Sequence, residues 1–368
     1  MKKLILSLFA GIVLCASLNA QKIEKPTLTP VEPNEAQKSL IQQGIKLHDA
    51  KQYDEAVKKY EQVLKECPDC VLAIYEAALS YYYKKDHLKA VELASRGLKY
   101  KSKELPFFYG LVANIYDDEG SPQKAIKLYE DAIKMLKGEK DSEQILSSLF
   151  YNLGVTYARQ KNYKEAKEAL KKAVESNYQY PSPHYLLTEV FFTMKYKVPA
   201  LFAAARIMSV ETFSPRTRRA ATIFQEVLTG GARKGNEPNS INIFVDTNEP
   251  KDEGDFSGIS LILGLVSAGT DISEENKNKT EEEKFADKVK SLIGFVEEDA
   301  KKNKSTFVGK NYVPFLREMK QRGYVETFAY VVLANGGNEK AAKWVLNDNP
   351  QKVVEFMNWA KNFQLPNK

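Results

Sequence analysis

From about residue 37 the chain sets small and apolar residues at three- and four-residue steps, broken at intervals by short polar turns. In "LIQQGIKLHDAKQYDEAVKKYEQVLKECP", Leu40 to Pro68, Gly44 is followed by Ala56, Tyr60, Val63 and Pro68. Steps of this size put one apolar stripe along each of two helices. The same ladder returns as Ala78, Ala90, Ala94 and Gly97, and again as Ala113, Ala125, Tyr129 and Ala132. It returns twice more, as Gly154, Ala166, Leu170 and Ala173 and as Thr188, Ala200, Ala204 and Ile207. First members are spaced 34, 35, 41 and 34 residues apart, and the long step suits a loop insertion near Gly138–Ser142. A helical-hairpin unit repeated at this period stacks its neighbours, small residues allowing close crossings and large ones filling the seams.

The ladder resembles the tetratricopeptide repeat family over about residues 37–213, most closely in the round Gly154, Tyr157, Tyr163, Ala166 and Ala173. The resemblance implies an all-α fold, a solenoid of about five helical hairpins, and a role in binding proteins. Departures are modest. Asp86-His87 stands where other rounds carry an aromatic, and Pro199 falls in a first helical turn, where proline is tolerated.

In this family the first helix of each pair lines the concave face, and residues at i, i+4 and i+7 share it. The resemblance therefore nominates Tyr75, Tyr82, Tyr83, Asn114, Tyr151, Tyr185 and Phe192 as a peptide-binding groove. Tyr75, Tyr151 and Tyr185 hold equivalent places, with Gly110 between, and aromatic anchors give contact area at small entropic cost. The alternative, that these rings pack between repeats, stays open. Members that grip a C-terminal carboxylate use Lys, Arg and Asn here; this face lacks that cationic set.

After the repeats, residues 214–231 read as a helix capping the last hairpin, because terminal repeats must cover an apolar end. Residues 232–255 read as a linker with a brief strand-like "INIFV", and 256–368 as a small helical bundle of no recognised family. Upstream, 1–20 reads as a secretory signal peptide and 21–36 as a linker: Met1-Lys2-Lys3 leads a short apolar run, with Ala20 at the cut. That run is shorter than the roughly 20 residues a bilayer span needs. Cys15, preceded by Leu14, leaves a lipid anchor as the alternative. Export, with the periplasm as destination, is the expectation.

Candidate chemistry is sparse. Cys67-Pro68-Asp69-Cys70 imitates a redox motif, but it falls in an inter-repeat turn without the strand-rich setting such centres need. The pair reads as a disulfide formed after export rather than a redox centre. Two cysteines do not complete a zinc site, and the histidines add little: His184 is core-facing, and His48 and His87 sit in separate turns. The C-terminal half holds neither His nor Cys, which removes the usual triads and the zinc-peptidase motif from it. Paired carboxylates acting on a cell-wall glycan remain the rival function there, with Trp344 and Trp359 either stacking on sugars or filling the core.

Gly230–Gly235 lacks the Lys-Ser/Thr of a phosphate loop, and Asp246, Glu249, Asp252, Glu253 and Asp255 lack the alternation of a calcium loop, so they read as a solvated turn. The net charge is +6, with Lys and Glu interleaved rather than blocked, which argues against a nucleic-acid surface. The sequence thus points to a non-enzymatic adaptor with a protein or peptide partner, needing no cofactor and no metal.

Overall fold

The structure, a computed structural model, describes residues 26–234, 241–243, 249–272 and 276–366. The leader read at 1–20, with Cys15, lies outside the described residues, as does Asp246. The chain forms two compact units, one ending at Thr156 and one beginning at Tyr157. The fold is all-α. β structure among the described residues is confined to an isolated bridge, Leu28 to Tyr100, and an antiparallel ribbon of β1 (Ala232–Lys234) and β2 (Ile241–Ile243).

In the first unit α1 (Glu35–Asp49) and α2 (Tyr53–Glu66) form one hairpin, and α3 (Val71–Tyr83) and α4 (His87–Gly97) the next. A third consists of α5 (Leu105–Asp118) and α6 (Pro122–Leu136), and α7 (Glu143–Arg159) opens the fourth. Asn34 starts α1 with a reciprocal capping box to Gln37, satisfying two orphan donors. Each hairpin turns through one residue of left-handed backbone: Lys51 (φ 61), Lys85 (φ 65) and Gly120 (φ 74). There the next amide reaches back five residues, Gln52 to Leu47, Asp86 to Tyr81 and Ser121 to Tyr116, closing the last helical carbonyls.

The ladder's glycines are close approaches. A Cβ on Gly44 would stand 2.4 Å from the Tyr60 ring, and one on Gly97 would stand 2.1 Å from the ring of Phe108. Both rings are fully buried. The insertion expected as a loop near Gly138–Ser142 is partly helix: α7 has 17 residues where α3 has 13, about one extra turn. The stretch before α1, expected as a linker, is tied down. Thr27 and Leu28 donate to the Lys99 carbonyl, and Val31 donates to that of Asp69.

The second unit contains α8 (Tyr163–Ser176), α9 (Pro181–Thr193), α10 (Lys197–Val210) and α11 (Pro215–Thr229). Lys161 (φ 60) and Lys195 (φ 66) repeat the left-handed turn. Beyond the ribbon come α12 (Ser257–Ile272), α13 (Glu281–Asn303), the short α14 (Phe307–Asn311), α15 (Val313–Gln321) and α16 (Val325–Asn335). α17 (Glu339–Lys343) runs into a π-helical turn, Trp344–Asp348, and α18 (Pro350–Asn362) follows. Gly323 and Gly337, both at positive φ, end α15 and α16 with the same five-residue return bond.

α10 is buried on every side from Val198 to Ser209, because α9 and α11 cover one flank while α16 and α18 close on it too. A helix apolar all round needs such cover. Its one cation in that stretch, Arg206, is wholly buried. Arg206 donates to the Ala360 carbonyl in the last turn of α18 (2.6 Å) and to Gln179 Oε1 (2.8 Å), and its guanidinium lies over the Tyr178 and Phe315 rings.

The acidic stretch read as a solvated turn is, over 249–255, a clasp. Glu253 is buried at 2 % exposure and meets Lys167 at 2.9 Å and Lys171 at 2.8 Å. Lys167 also donates to Asp252 (2.5 Å) and to the Tyr196 hydroxyl, and Glu249 accepts from the Val198 amide. The reading failed because its cations are remote in sequence; a carboxylate is expected to be solvated only when no cation folds onto it.

His184 faces the core, as its ladder position implies. Its ring nitrogens meet the Tyr312 hydroxyl at 3.0 Å and the Tyr178 carbonyl at 2.9 Å. Burial, with the Arg206 charge, pulls its pKa down to about 3. The folded value lies below the unfolded one, so the stability gained by keeping His184 neutral is full above about pH 6.5 and is lost as pH falls towards the folded value. Going from pH 7 to 5 is expected to cost the second unit about 2 kcal/mol through this group. Both tryptophans of the chain, Trp344 and Trp359, lie in this unit and report its urea midpoint. His184→Gln should flatten the pH dependence; an undiminished slope would show that another group sets it.

Candidate peptide groove

The first helices α3, α5 and α7 present a cleft of about 470 Å³ within the first unit. α3 contributes Tyr75 and, one turn on, Leu79; α5 contributes Phe107, Gly110, Leu111 and Asn114. α7 adds Gln144, Ile145, Ser148, Leu149 and Asn152. None of these side chains is charged. Tyr75 is wedged against Phe107 and Phe108, ring centres 5.6 and 5.4 Å away, which fixes its ring. Burial raises its hydroxyl pKa well above the usual range. Gly110 leaves the floor open, since a Cβ there would sit 3.1 Å from Leu149 Cδ2.

The polar part of the cleft is carboxamide. Tyr129, fully buried on α6, donates to Asn114 Oδ1 at 2.5 Å and so orients that amide. Asn152 and Gln144 stand on successive parts of α7. A carboxamide carries one acceptor and two donors, the same kinds of group as a peptide unit, so it can pair with a main chain laid across it. Apolar rings with oriented amides and no charge suit an extended peptide better than a phosphate, a metal or a sugar acid.

Of the residues nominated from sequence, the cleft brings together Tyr75 and Asn114. Tyr82 and Tyr83 lie at the far end of α3 and do not line it. Tyr82 donates to Asp118 (2.9 Å) and stacks on His87, while Tyr83 stacks on Tyr53 and meets His48 edge-on. Tyr151 is half-buried on α7, outside the lining. In the second unit Tyr185 bonds to Glu189, and the Arg216 guanidinium lies 6.0 Å from its ring centre. Arg219, itself paired to Glu189, lies 5.8 Å from the Phe192 ring. α11 thus lays two arginines over the rings of the last hairpin. Gln144 and Ile145 were missed because they stand in the extra first turn of α7, and Ser148 and Asn152 because α7 lines the cleft one position off the face that Tyr151 marks.

The cysteine turn is structural in its setting. Cys67 ends α2 and Cys70 begins α3; both are buried, unbonded thiols. Burial raises the Cys70 thiol pKa, outweighing the amide bond that lowers it, which is the reverse of thiolate activation. Arg96 donates to the Pro68 carbonyl and Tyr100 to the Asp69 carboxylate, so the turn is held from the next repeat. Trp344 stacks on Tyr330 at 4.2 Å, and Trp359 stacks on Phe315 with its N–H on Glu318, so both rings are taken up in packing. Among the described residues no group of three or more His, Cys, Asp and Glu could hold a metal ion, and no helix is long and apolar enough to cross a membrane.

Helical hairpins at a fixed period, with first helices lining a neutral groove, define an α-helical repeat protein of the interaction-scaffold class. Residues 42–104 and 107–179 each match a tetratricopeptide repeat family profile, so this stretch of the chain is tetratricopeptide repeat. A stretch of 116 residues is 29 % identical to the general transcriptional corepressor trfA of Dictyostelium discoideum, covering 32 % of this chain and 8 % of that protein. The chain therefore spans under a tenth of that relative.

Solved structures similar to the chain include a thermophilic tetratricopeptide repeat protein of Thermus thermophilus (20 % identity, TM-score 0.43, 51 % of this chain and 98 % of that one). PilW, described as a widely conserved type IV pilus biogenesis factor, gives 20 % identity and a TM-score of 0.45 over 53 % of this chain and 86 % of its own. PilF of Pseudomonas aeruginosa gives 15 % and 0.41 over 77 % and 98 %. It is the family profiles, and not these superpositions, that place the repeats.

Proposed function

We propose that this chain is an exported, non-catalytic adaptor that holds a partner peptide in the groove of its tetratricopeptide repeats. The observation that carries the reading is the uncharged cleft between α3, α5 and α7, with Tyr75 clamped by two phenylalanines and Asn114 oriented by Tyr129. Binding is the whole mechanism: the peptide buries an apolar side chain against Tyr75 and Leu79 while its main chain pairs with the carboxamides. Residues 1–20 supply the export signal, and the periplasm is the proposed site of action. In that compartment Cys67 and Cys70 are proposed to form a structural disulfide. Intact mass of the exported chain under non-reducing conditions, lower by two hydrogens and stable to mild alkylation, checks it.

The test of function is partner capture from envelope extracts by the full chain and by its Tyr75→Ala and Asn152→Ala variants. Each truncation is expected to weaken binding by about 1–2 kcal/mol, with unchanged helical circular dichroism. A partner held equally by both variants places binding elsewhere and removes the groove reading.

A further inference from the structure

Gly110 lies buried inside α5, where a glycine is unfavourable relative to alanine. Its φ is not positive, so the backbone conformation does not require it. At other glycines of the ladder a close approach does: a Cβ on Gly44 would meet the Tyr60 ring at 2.4 Å, and one on Gly97 the Phe108 ring at 2.1 Å. At Gly110 a Cβ would meet only the tip of a leucine side chain, Leu149 Cδ2 at 3.1 Å. Neither conformation nor packing accounts for the missing side chain.

The repeats show what is missing. Three residues before the first ladder position of each round stand Ile41, Tyr75, Gly110, Tyr151 and Tyr185. Ile41 is buried, and Tyr75 and Tyr151 are half-buried. The third round has no side chain at this place, and the cleft of about 470 Å³ lies over it. Its walls define what fits. Tyr75 and Phe107, one turn before Gly110, flank the gap as a tilted pair with ring centres 5.6 Å apart. Leu111, Ile145 and Leu149 continue the apolar lining, and no charged side chain enters it. Rings attract a further ring, offset or edge-on, at centre separations of roughly 4.5–7 Å. A flat ring also fixes only two torsions on entering, fewer than an aliphatic chain of equal area.

We infer that Gly110 sets the specificity of the groove: the gap over it receives an aromatic side chain of the bound peptide, where other rounds hold a large residue of their own. This rests on the groove reading above. The guest ring packs against Tyr75 and Phe107, and the carboxamides of Asn114 and Asn152 take the main chain that carries it.

The experiment selects a displayed library of short uncharged peptides on the full chain. An aromatic residue is expected at one fixed position of the binders, and its change to alanine should weaken binding about thirtyfold, as for a buried anchor. Gly110→Tyr supplies the ring from the chain itself and should bring the aromatic peptide down to the affinity of its alanine counterpart. It should also raise the thermal midpoint, because it fills the gap and replaces a helical glycine. Gly110→Leu reads the same loss with a more flexible side chain if tyrosine disturbs folding, which circular dichroism shows. Binders without an aromatic residue, an aromatic preference that survives both filled variants, a midpoint lowered by both, or no binder at all overturns the inference. Free p-cresol binding as tightly as the aromatic peptide would overturn the peptide part and assign the gap to a small aromatic molecule. Aliphatic binders that weaken with Tyr75→Ala and Asn152→Ala sink the aromatic assignment and leave the groove standing. Aromatic binders indifferent to Gly110→Tyr, Tyr75→Ala and Asn152→Ala alike sink the groove reading itself.

Discussion

Arg206→Ala should lower the stability of the second unit by about 3–5 kcal/mol, a large share of what a domain of this size holds. Arg206 is wholly buried on α10, with no carboxylate opposite among the described residues. Its charge is offset instead by the Ala360 carbonyl in the last turn of α18, by Gln179 Oε1, and by the faces of Tyr178 and Phe315. The last carbonyls of a helix carry partial negative charge, so a guanidinium there serves as both cap and counter-charge. Alanine removes a large side chain, leaves a cavity between α10 and α18, and strips two acceptors of a donor. Arg206→Met keeps much of the volume and also sheds the cost of burying a charge, so it should lose distinctly less than alanine. Urea unfolding followed by the two tryptophans reads both. A loss under about 1 kcal/mol for alanine would mean that α18 is held by its apolar contacts alone.

Glu253→Ala is expected to cost about 3 kcal/mol, because it leaves a buried ammonium short of its buried partner. Lys167 is 3 % exposed and bridges Asp252 and Glu253 from α8, with Tyr196 as a third contact. Burial alone would pull the Lys167 pKa down; the bonds to Asp252 and Glu253 overcome it and hold the pKa above its ordinary value. A raised lysine contributes fully below its unfolded pKa and loses that contribution only in strong alkali, so the clasp should not weaken between pH 6 and 9. The double change Lys167→Met with Glu253→Met should recover much of the single loss, since no charge is then stranded. Additive losses in that cycle would show that the two side chains are not coupled.

Much of the fold was legible because a repeat states its packing rule several times over. Small residues recur at Gly44, Ala78, Ala113 and Gly154, and at Gly44 the structure shows why: the buried Tyr60 ring leaves no room for a Cβ. The hairpin turns were less legible. Lysine at positions 51, 85, 161 and 195 takes the left-handed backbone that glycine takes at 120, and lysine gives no signal of it. In the groove, Tyr75 and Asn114 could be read from helical spacing, whereas Gln144, in the extra turn of α7, and Asn152, one position off the marked face, could not.

The second half was legible as helices and opaque as architecture. Gly323 and Gly337 mark helix ends in the sequence, yet nothing local tells that α18 caps itself on Arg206. Lys167 and Asp252 lie 85 positions apart, so no window contains both, and an acidic stretch taken alone reads as solvated. Short-range periodicity is enough to specify helices, their apolar faces and their succession as hairpins, since each depends on neighbours within a turn or a repeat. Which carboxylates are paired and which cation is buried without one depend on groups brought together from distant parts of the chain. Charge and burial are properties of that assembled neighbourhood and are written in no single stretch.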